Sequence, residues 1–278
     1  MCASAEASAE AKLRSLFESL REPLAGGLVV AFSGGVDSAF LLWAAKKERQ
    51  LSGGDLLALT TTSASFADVE RQDVEHFIAR HGISHIFRES REFLDPAYLA
   101  NDATRCFHCK SELFRICDEV AAQRGLRSIA YGYNASDGGD HRPGHQAALD
   151  AGVLSPLADA GLTKDDIRKL MKIYGLDLAD KPASPCLSSR LMTGIQITSE
   201  KLKDVEEIER MLRAAGLSVF RVRMHESSGN RMLRIEVAAD EMSAAFSLRE
   251  ELAAAGRERG YRWTTLDLAG YRTGGANA

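Results

Sequence analysis

In the first half of the chain, apolar residues come in short unbroken runs, separated by stretches where they recur at helical spacing. Leu28-Val29-Val30-Ala31-Phe32 and Leu56-Leu57-Ala58-Leu59-Thr60 show no polar alternation, the pattern of strands buried on both faces. Ser84–Phe87 and Arg127–Gly132 are shorter strand candidates. Around residues 7–21, Leu13, Leu16, Phe17 and Leu20 fall on one helical face. Ala39–Ala45, Val69–Ala79 and Lys110–Arg124 read as further helices, the last with Leu113, Ile116, Val120 and Ala121 on one side. Strands alternating with helices predict an α/β fold, a parallel sheet covered on both faces. Ligands of such sheets gather at the C-terminal strand ends, so the ends near Phe32, Thr60 and Gly132 are expected to converge.

The texture changes after Lys181. Pro182-Ala183-Ser184-Pro185-Cys186-Leu187-Ser188-Ser189-Arg190 reads as a loop, because its two prolines interrupt regular structure. Thr198 or Ser199 can cap a helix carrying Leu202, Val205, Ile208 and Leu212 and ending at Gly216. Strands are expected at Ser218–Met224, Met232–Val237 and Tyr261–Leu268, with a helix starting at Asp240. The chain therefore divides, in expectation, into a parallel-sheet domain over 1–180 and a smaller α+β domain over 181–278. Gly274–Ala278 is expected to fray.

Composition narrows the class. The 278 residues are 45% hydrophobic and 27% charged, enough for a substantial core. A net charge of −4 gives no reason to expect nucleic acid as a partner. No apolar run reaches membrane-spanning length, and Met1–Glu6 has neither a basic nor an apolar leader segment. Cys2, Cys106, Cys109, Cys117 and Cys186 are odd in number in a chain too long to need staples, which points to a reducing cytoplasm.

The chemistry begins at Ser33-Gly34-Gly35-Val36-Asp37-Ser38, placed between a strand and a helix. Paired glycines let successive N–H groups face one anion, and the helix start adds partial positive charge. Ser33 and Ser38 add hydroxyls. The loop has no lysine of the GxxxxGK[ST] kind and no GxGxxG spacing. It resembles the pyrophosphate loop of the ATP-pyrophosphatase superfamily, whose members cleave ATP between the α and β phosphates. That resemblance implies ATP and Mg²⁺, with Asp37 beside the cation and phosphates.

Cys106-Phe107-His108-Cys109 is a CxxC pair, open to redox, metal or catalytic use. Without a second such pair a four-cysteine zinc site is not expected. Cys186 sits in the proline-rich loop, either presented to a reactant or packed as a small apolar residue. With the pair it makes three thiolates, the number that leaves one iron of a [4Fe–4S] cluster open.

Four stretches together resemble the LarE family, which matures the nickel-pincer nucleotide cofactor of lactate racemase. They are Ser33–Ser38, Arg105–Phe114, Ser184–Arg190 and Gly270-Tyr271-Arg272-Thr273-Gly274. The resemblance implies adenylation of a carboxylate of pyridinium-3,5-biscarboxylic acid mononucleotide, and replacement of AMP by sulfur. In one family type the cysteine matching Cys186 gives up its own sulfur. In the other, three cysteines hold a [4Fe–4S] cluster, and the presence of Cys106 and Cys109 beside Cys186 matches that type. The resemblance also implies a homo-oligomer and leaves the sulfur donor unnamed.

Sulfur attacks as thiolate or sulfide, and adenylation gives the carboxylate a leaving group. Arg190, four residues after Cys186, can favour its thiolate or bind the acyl phosphate, or it is a surface residue. Arg221 and Arg223 alternate along a strand and so share a face that suits the substrate's phosphate or carboxylate, or they are exposed cross-strand side chains. Thr60–Ser63 end a strand where adenosine can be contacted, or form a polar turn. Gly132 and Asn134 follow the third strand, where backbone can approach a nucleotide. Asp140–Gly144 resembles a family loop near the active site, with His141 and His145 expected to face solvent. Glu209 and Asp240 occupy positions of metal-side carboxylates in the family. A tRNA-thiolating enzyme of the same superfamily is the alternative reading.

Overall fold

The computed structural model describes residues 2–139, 143–182 and 184–272. The chain forms two compact units. The first comprises Met1–Ser63, Asp68–Leu94 and Cys106–Ala183, and the second Ala64–Ala67, Asp95–Arg105 and Ser184–Ala278.

The first unit holds the expected parallel sheet, with β1 (Leu28–Ala31), β2 (Leu56–Thr62), β3 (His85–Glu89) and β4 (Ser128–Tyr131) in the order β3-β2-β1-β4. All three pairings are parallel, with Leu28 level with Leu56 and Ser128. Every residue of β1 is buried, as a central strand covered on both faces requires. Helices Val36–Ser52, Asp68–His81 and Arg105–Arg124 connect successive strands. A long first helix, Cys2–Ala25, buries Leu13, Leu16, Leu20 and Leu24. The chain runs outward through β1, β2 and β3, then returns to place β4 on the other side of β1. That reversal makes a switch point between β1 and β4, the place where open α/β sheets bind ligands.

The second unit has a three-stranded sheet, β5 (Phe220–Ser227), β6 (Asn230–Val237) and β7 (Trp263–Leu266), with β5–β6 antiparallel and β6–β7 parallel. Helix Ser199–Ala214 is capped by Thr198, whose hydroxyl accepts from Lys201 N at 3.3 Å, and it buries the four apolar residues expected of it. The β5–β6 hairpin is longer than the sequence suggests. Ser228 and Gly229 both take positive φ, 49° and 77°, in a two-residue turn whose twist matches the strands.

Two boundaries also differ. The helix expected from Lys110 begins at Arg105, so the CxxC pair lies in its first turns. In place of one helix from Asp240, a short 3₁₀ turn Ala239–Glu241 precedes helices Met242–Ser247 and Arg249–Glu258. No helix among the described residues is long and apolar enough to cross a membrane. Residues 140–142 and 273–278, which carry part of the Asp140–Gly144 loop, His141, the end of the Gly270–Gly274 motif and the tail, lie outside the described residues.

Candidate functional site

The loop after β1 is built by backbone constraints. Phe32 N donates to Leu59 O at 2.8 Å, which keeps the chain in the sheet to the loop's edge. Gly34 then takes φ +73°, and a Cβ there would sit 2.9 Å from Val74 Cγ2, so both conformation and space select glycine. Gly35 caps helix Val36–Ser52 with extended backbone and no side-chain cap, leaving first-turn N–H groups available to an anion. Ser38 Oγ donates to Gly35 O at 3.0 Å and lies 3.1 Å from Ser33 Oγ. Gly132, just past β4, presses on this helix start: a Cβ would lie 2.6 Å from Ser38 N. The close approach expected of Gly132 is thus made to the loop's own helix.

Thr60 is fully buried, donates to Phe32 O at 2.6 Å and meets His85 Nε2 at 2.9 Å, so its hydroxyl fixes the loop's entry. Burial holds the His85 pKa down at about 4. Asn134 is also fully buried. Its Oδ1 accepts from Ser136 N at 2.9 Å, while its Nδ2 has no partner among the described residues.

Two lysines meet the loop, neither of them singled out by sequence. Lys164 Nζ lies 2.5 Å from Asp37 Oδ2, while Asp37 Oδ1 is buried with no partner among the described residues. Burial raises the Asp37 pKa above the ordinary carboxylate range, and Lys164 opposes the rise. Lys181 Nζ donates to Gly34 O at 3.0 Å and pairs with Glu70 at 2.6 Å and Asp73 at 2.7 Å. The one local signal for Lys164 is the Thr163-x-x-Asp166 capping box, which marks a helix start but not its neighbour in space.

Cys106 and Cys109, neither of them in a disulfide, lie three residues apart on helix Arg105–Arg124, the first exposed and the second half-buried. That spacing makes them neighbours on the helix surface. Cys117 is buried, and burial pushes its thiol pKa up to about 12, which leaves it an inert core residue. Cys186 is exposed and free in the second unit. Among the described residues no group of three or more His, Cys, Asp or Glu side chains is gathered as a metal site. His145 is half-buried: it stacks on Tyr133 with centroids 3.9 Å apart, and its Nδ1 lies 2.6 Å from the Tyr131 hydroxyl.

In the second unit Cys186 sits at the head of the 3₁₀ turn Leu187–Arg190. A two-proline segment cannot hold itself, and neighbouring side chains fasten it. Arg190 is 3% exposed, pairs with Glu209 at 2.9 Å and donates to the carbonyls of Pro185 and Cys186. Glu209 also accepts from Val222 N at 3.1 Å. Arg223 donates to Ser189 O at 3.0 Å and pairs with Glu236 at 3.2 Å. Arg105 donates to Ser188 O at 3.0 Å, the Tyr98 hydroxyl meets Ser188 Oγ at 2.7 Å, and Leu187 N donates to Ser65 O at 3.0 Å. Arg221 is buried and lies over the Tyr271 ring. Burial and the nearby Arg190 charge hold its pKa below the ordinary arginine range. None of Arg190, Arg221 and Arg223 is a surface side chain. Asp240 is exposed on the 3₁₀ turn Ala239–Glu241.

No family model matches the chain. An uncharacterized protein of Synechocystis sp., slr1717, is 36% identical over 270 residues, which are 95% of this chain and 98% of that protein. A pyridinium-3,5-bisthiocarboxylic acid mononucleotide synthase of Lactiplantibacillus plantarum is 29% identical over 252 residues, 90% of this chain and 88% of its own. A tRNA-specific 2-thiouridylase, MnmA, of Rickettsia africae is 29% identical over 196 residues, 56% of this chain and 52% of its own.

Proposed function

We infer the activity from one premise: the chain belongs to the LarE family, and its first unit has the fold of the ATP-pyrophosphatase superfamily. The reading is an ATP-dependent sulfurtransferase that acts on a pyridinium-3,5-dicarboxylate mononucleotide. The observation that carries it is the open helix start at Gly35, set at the β1/β4 switch point with Ser33, Ser38 and Asp37 around it.

The chemistry has two steps. A substrate carboxylate oxygen attacks the α-phosphorus of ATP, the bond to the bridging oxygen breaks, and pyrophosphate leaves with the electron pair. A sulfur nucleophile then attacks the acyl carbon, and AMP leaves. The loop amides and the Ser33 and Ser38 hydroxyls are suited to hold the departing pyrophosphate. Asp37 Oδ1, buried with no partner among the described residues, is the atom suited to a Mg²⁺ accompanying ATP, which would neutralise phosphate charge there.

Cys186 is the proposed sulfur residue. Its thiolate would form a thioester with the acyl group. Loss of its Cα proton to a base, such as water, and cleavage of its Cβ–Sγ bond, whose electron pair leaves on sulfur, would then release the thiocarboxylate and leave dehydroalanine. Arg190, with both its backbone acceptors in the Cys186 turn, is better suited to shaping that turn than to meeting phosphate. Arg221 remains the proposed anion contact of the second unit, while Arg223, paired with Glu236 and bonded to Ser189 O, is better suited to bracing the Cys186 turn. The donor chemistry of Cys106, Cys109 and Cys186, three cysteines outside any disulfide, fits a [4Fe–4S] cluster. When bound, such a cluster supplies sulfide in place of the cysteine's own sulfur.

The test combines one variant with two readouts. Cys186→Ser is expected to release pyrophosphate from ATP and substrate while making no thiocarboxylate. Loss of one hydrogen sulfide from the Cys186 peptide of the wild-type chain marks the sacrificial route. An intact Cys186, with iron and sulfide in anaerobically prepared protein, marks the cluster route. Wild-type thiocarboxylate formation by the variant would remove Cys186 from the chemistry. The partial likeness to a 2-thiouridylase supplies the rival substrate, and thiolation of tRNA in place of the mononucleotide would select it.

A further inference from the structure

The loop proposed to cradle phosphate has no lysine of its own and carries the Asp37 carboxylate, so by itself it leaves the charge of a departing pyrophosphate uncompensated. We propose that Lys164, from the helix Lys164–Ile173, supplies that cation by exchanging its partner Asp37 for the phosphates of ATP when nucleotide binds. The proposal rests on the nucleotide reading above and adds a residue to it.

Among the described residues Lys164 and Lys181 bond to the loop directly, while Arg168, whose charge also reaches Asp37, is committed to the carbonyls of Ala179 and Lys181; the surroundings of the two lysines separate them. Lys181 is enclosed by Glu70 and Asp73, tied to Gly34 O, and its side chain is only 12% exposed. It meets two carboxylates with one charge, so its role is to brace the loop from behind. Lys164 meets one carboxylate, and its side chain is 38% exposed. Its backbone is pinned while its head is not. Thr163 caps the helix in a closed capping box, and Lys164 N donates to Ser136 Oγ at 3.1 Å. A long side chain on a fixed base can move its ammonium between two acceptors without moving the fold.

Two orphaned atoms point independently to a ligand. Among the described residues Asp37 Oδ1 is buried without a partner, and so is Nδ2 of Asn134, a residue 1% exposed. A buried acceptor and a buried donor left unpaired are costly unless something completes them. A phosphate with its cation supplies both: an oxygen for the amide and a positive charge for the carboxylate. Asp37 then no longer needs Lys164, whose ammonium is released to the phosphate oxygens. Lys164 forms no covalent bond in this scheme. It makes a charge-assisted hydrogen bond that strengthens as electrons move onto the leaving pyrophosphate.

The test is calorimetric titration of the full chain with Mg²⁺–ATP, with inorganic pyrophosphate and with AMP. Lys164→Met is expected to weaken ATP and pyrophosphate about ten- to a hundredfold and to leave AMP within about twofold. Lys164→Arg is expected to recover most of the ATP affinity. A merely structural lysine would weaken all three ligands alike and lower the melting temperature in step. That pattern, or wild-type pyrophosphate affinity in folded Lys164→Met, overturns the proposal. A wild-type chain that binds neither ATP nor pyrophosphate overturns the nucleotide reading beneath it.

Discussion

The pyrophosphate-type loop of the first unit and the Cys186 turn of the second are both short, glycine- or proline-marked segments, yet they are held in opposite ways. Ser33–Ser38 is shaped by its own backbone: a positive φ at Gly34, an extended cap at Gly35 and a helix that starts at once. Ser184–Arg190 has almost no backbone order beyond one 3₁₀ turn, and guanidinium and hydroxyl groups from Arg190, Arg223, Arg105 and Tyr98 hold its carbonyls and Ser188. The lesson is that an anion cradle needs the N–H groups of its helix start free and therefore cannot spend those on scaffolding, although Ser33 N is used on Ser38 Oγ. A segment that presents one thiol needs only its Sγ free, so its carbonyls can all be used as anchors.

The largest effect should come from breaking the side-chain scaffold. Arg190→Met leaves the Glu209 carboxylate buried with one backbone donor, and the loss of a buried partner costs roughly 3–5 kcal/mol. Chemical denaturation is expected to show that loss. A change below about 1 kcal/mol would mean that the Cys186 turn does not depend on its buried ion pair.

A smaller effect is expected where backbone meets backbone. Gly132→Ala brings a methyl group to 2.6 Å from Ser38 N, and neither side can yield cheaply. The strain should cost about 1–3 kcal/mol and fall on the helix start, weakening pyrophosphate binding more than global stability. Unchanged pyrophosphate affinity would break the claim that the cradle is set by backbone fit.

The smallest effect sharpens the comparison through pH. His85 has its pKa held at about 4 in the folded chain against an ordinary 6.5. Below pH 6.5 the unfolded chain takes up a proton that the folded chain refuses, so this group's contribution is lost as pH falls from 6.5 towards 4. His85→Gln keeps a side chain able to meet Thr60 and removes the titration. Melting temperatures measured across that window should fall less steeply in the variant. An identical slope would show that His85, and with it the Thr60 contact at the loop's entry, does not govern the acid limb.

Much of this was legible along the chain, for a physical reason. Runs such as Leu28–Phe32 and Leu56–Thr60, and the helical faces of Leu13 and Leu202, report burial directly, because strand and helix periods are local properties. Ser33–Ser38 was legible because glycine conformations and helix starts are local too, and Cys106, Cys109 and Cys186 stood out by residue type. Pairings across long sequence separations were not. Nothing near Lys164 announces Asp37, 127 residues away, and nothing near Arg190 distinguishes a surface arginine from one 3% exposed against Glu209. Charged side chains are read as solvent-facing by default, and only the packed fold decides which of them find a buried partner. Sequence determined the loop, the thiols and the alternation of elements. Tertiary structure decided which cations serve the loop and which are committed to holding the Cys186 turn, since that choice depends on what each charge meets in space.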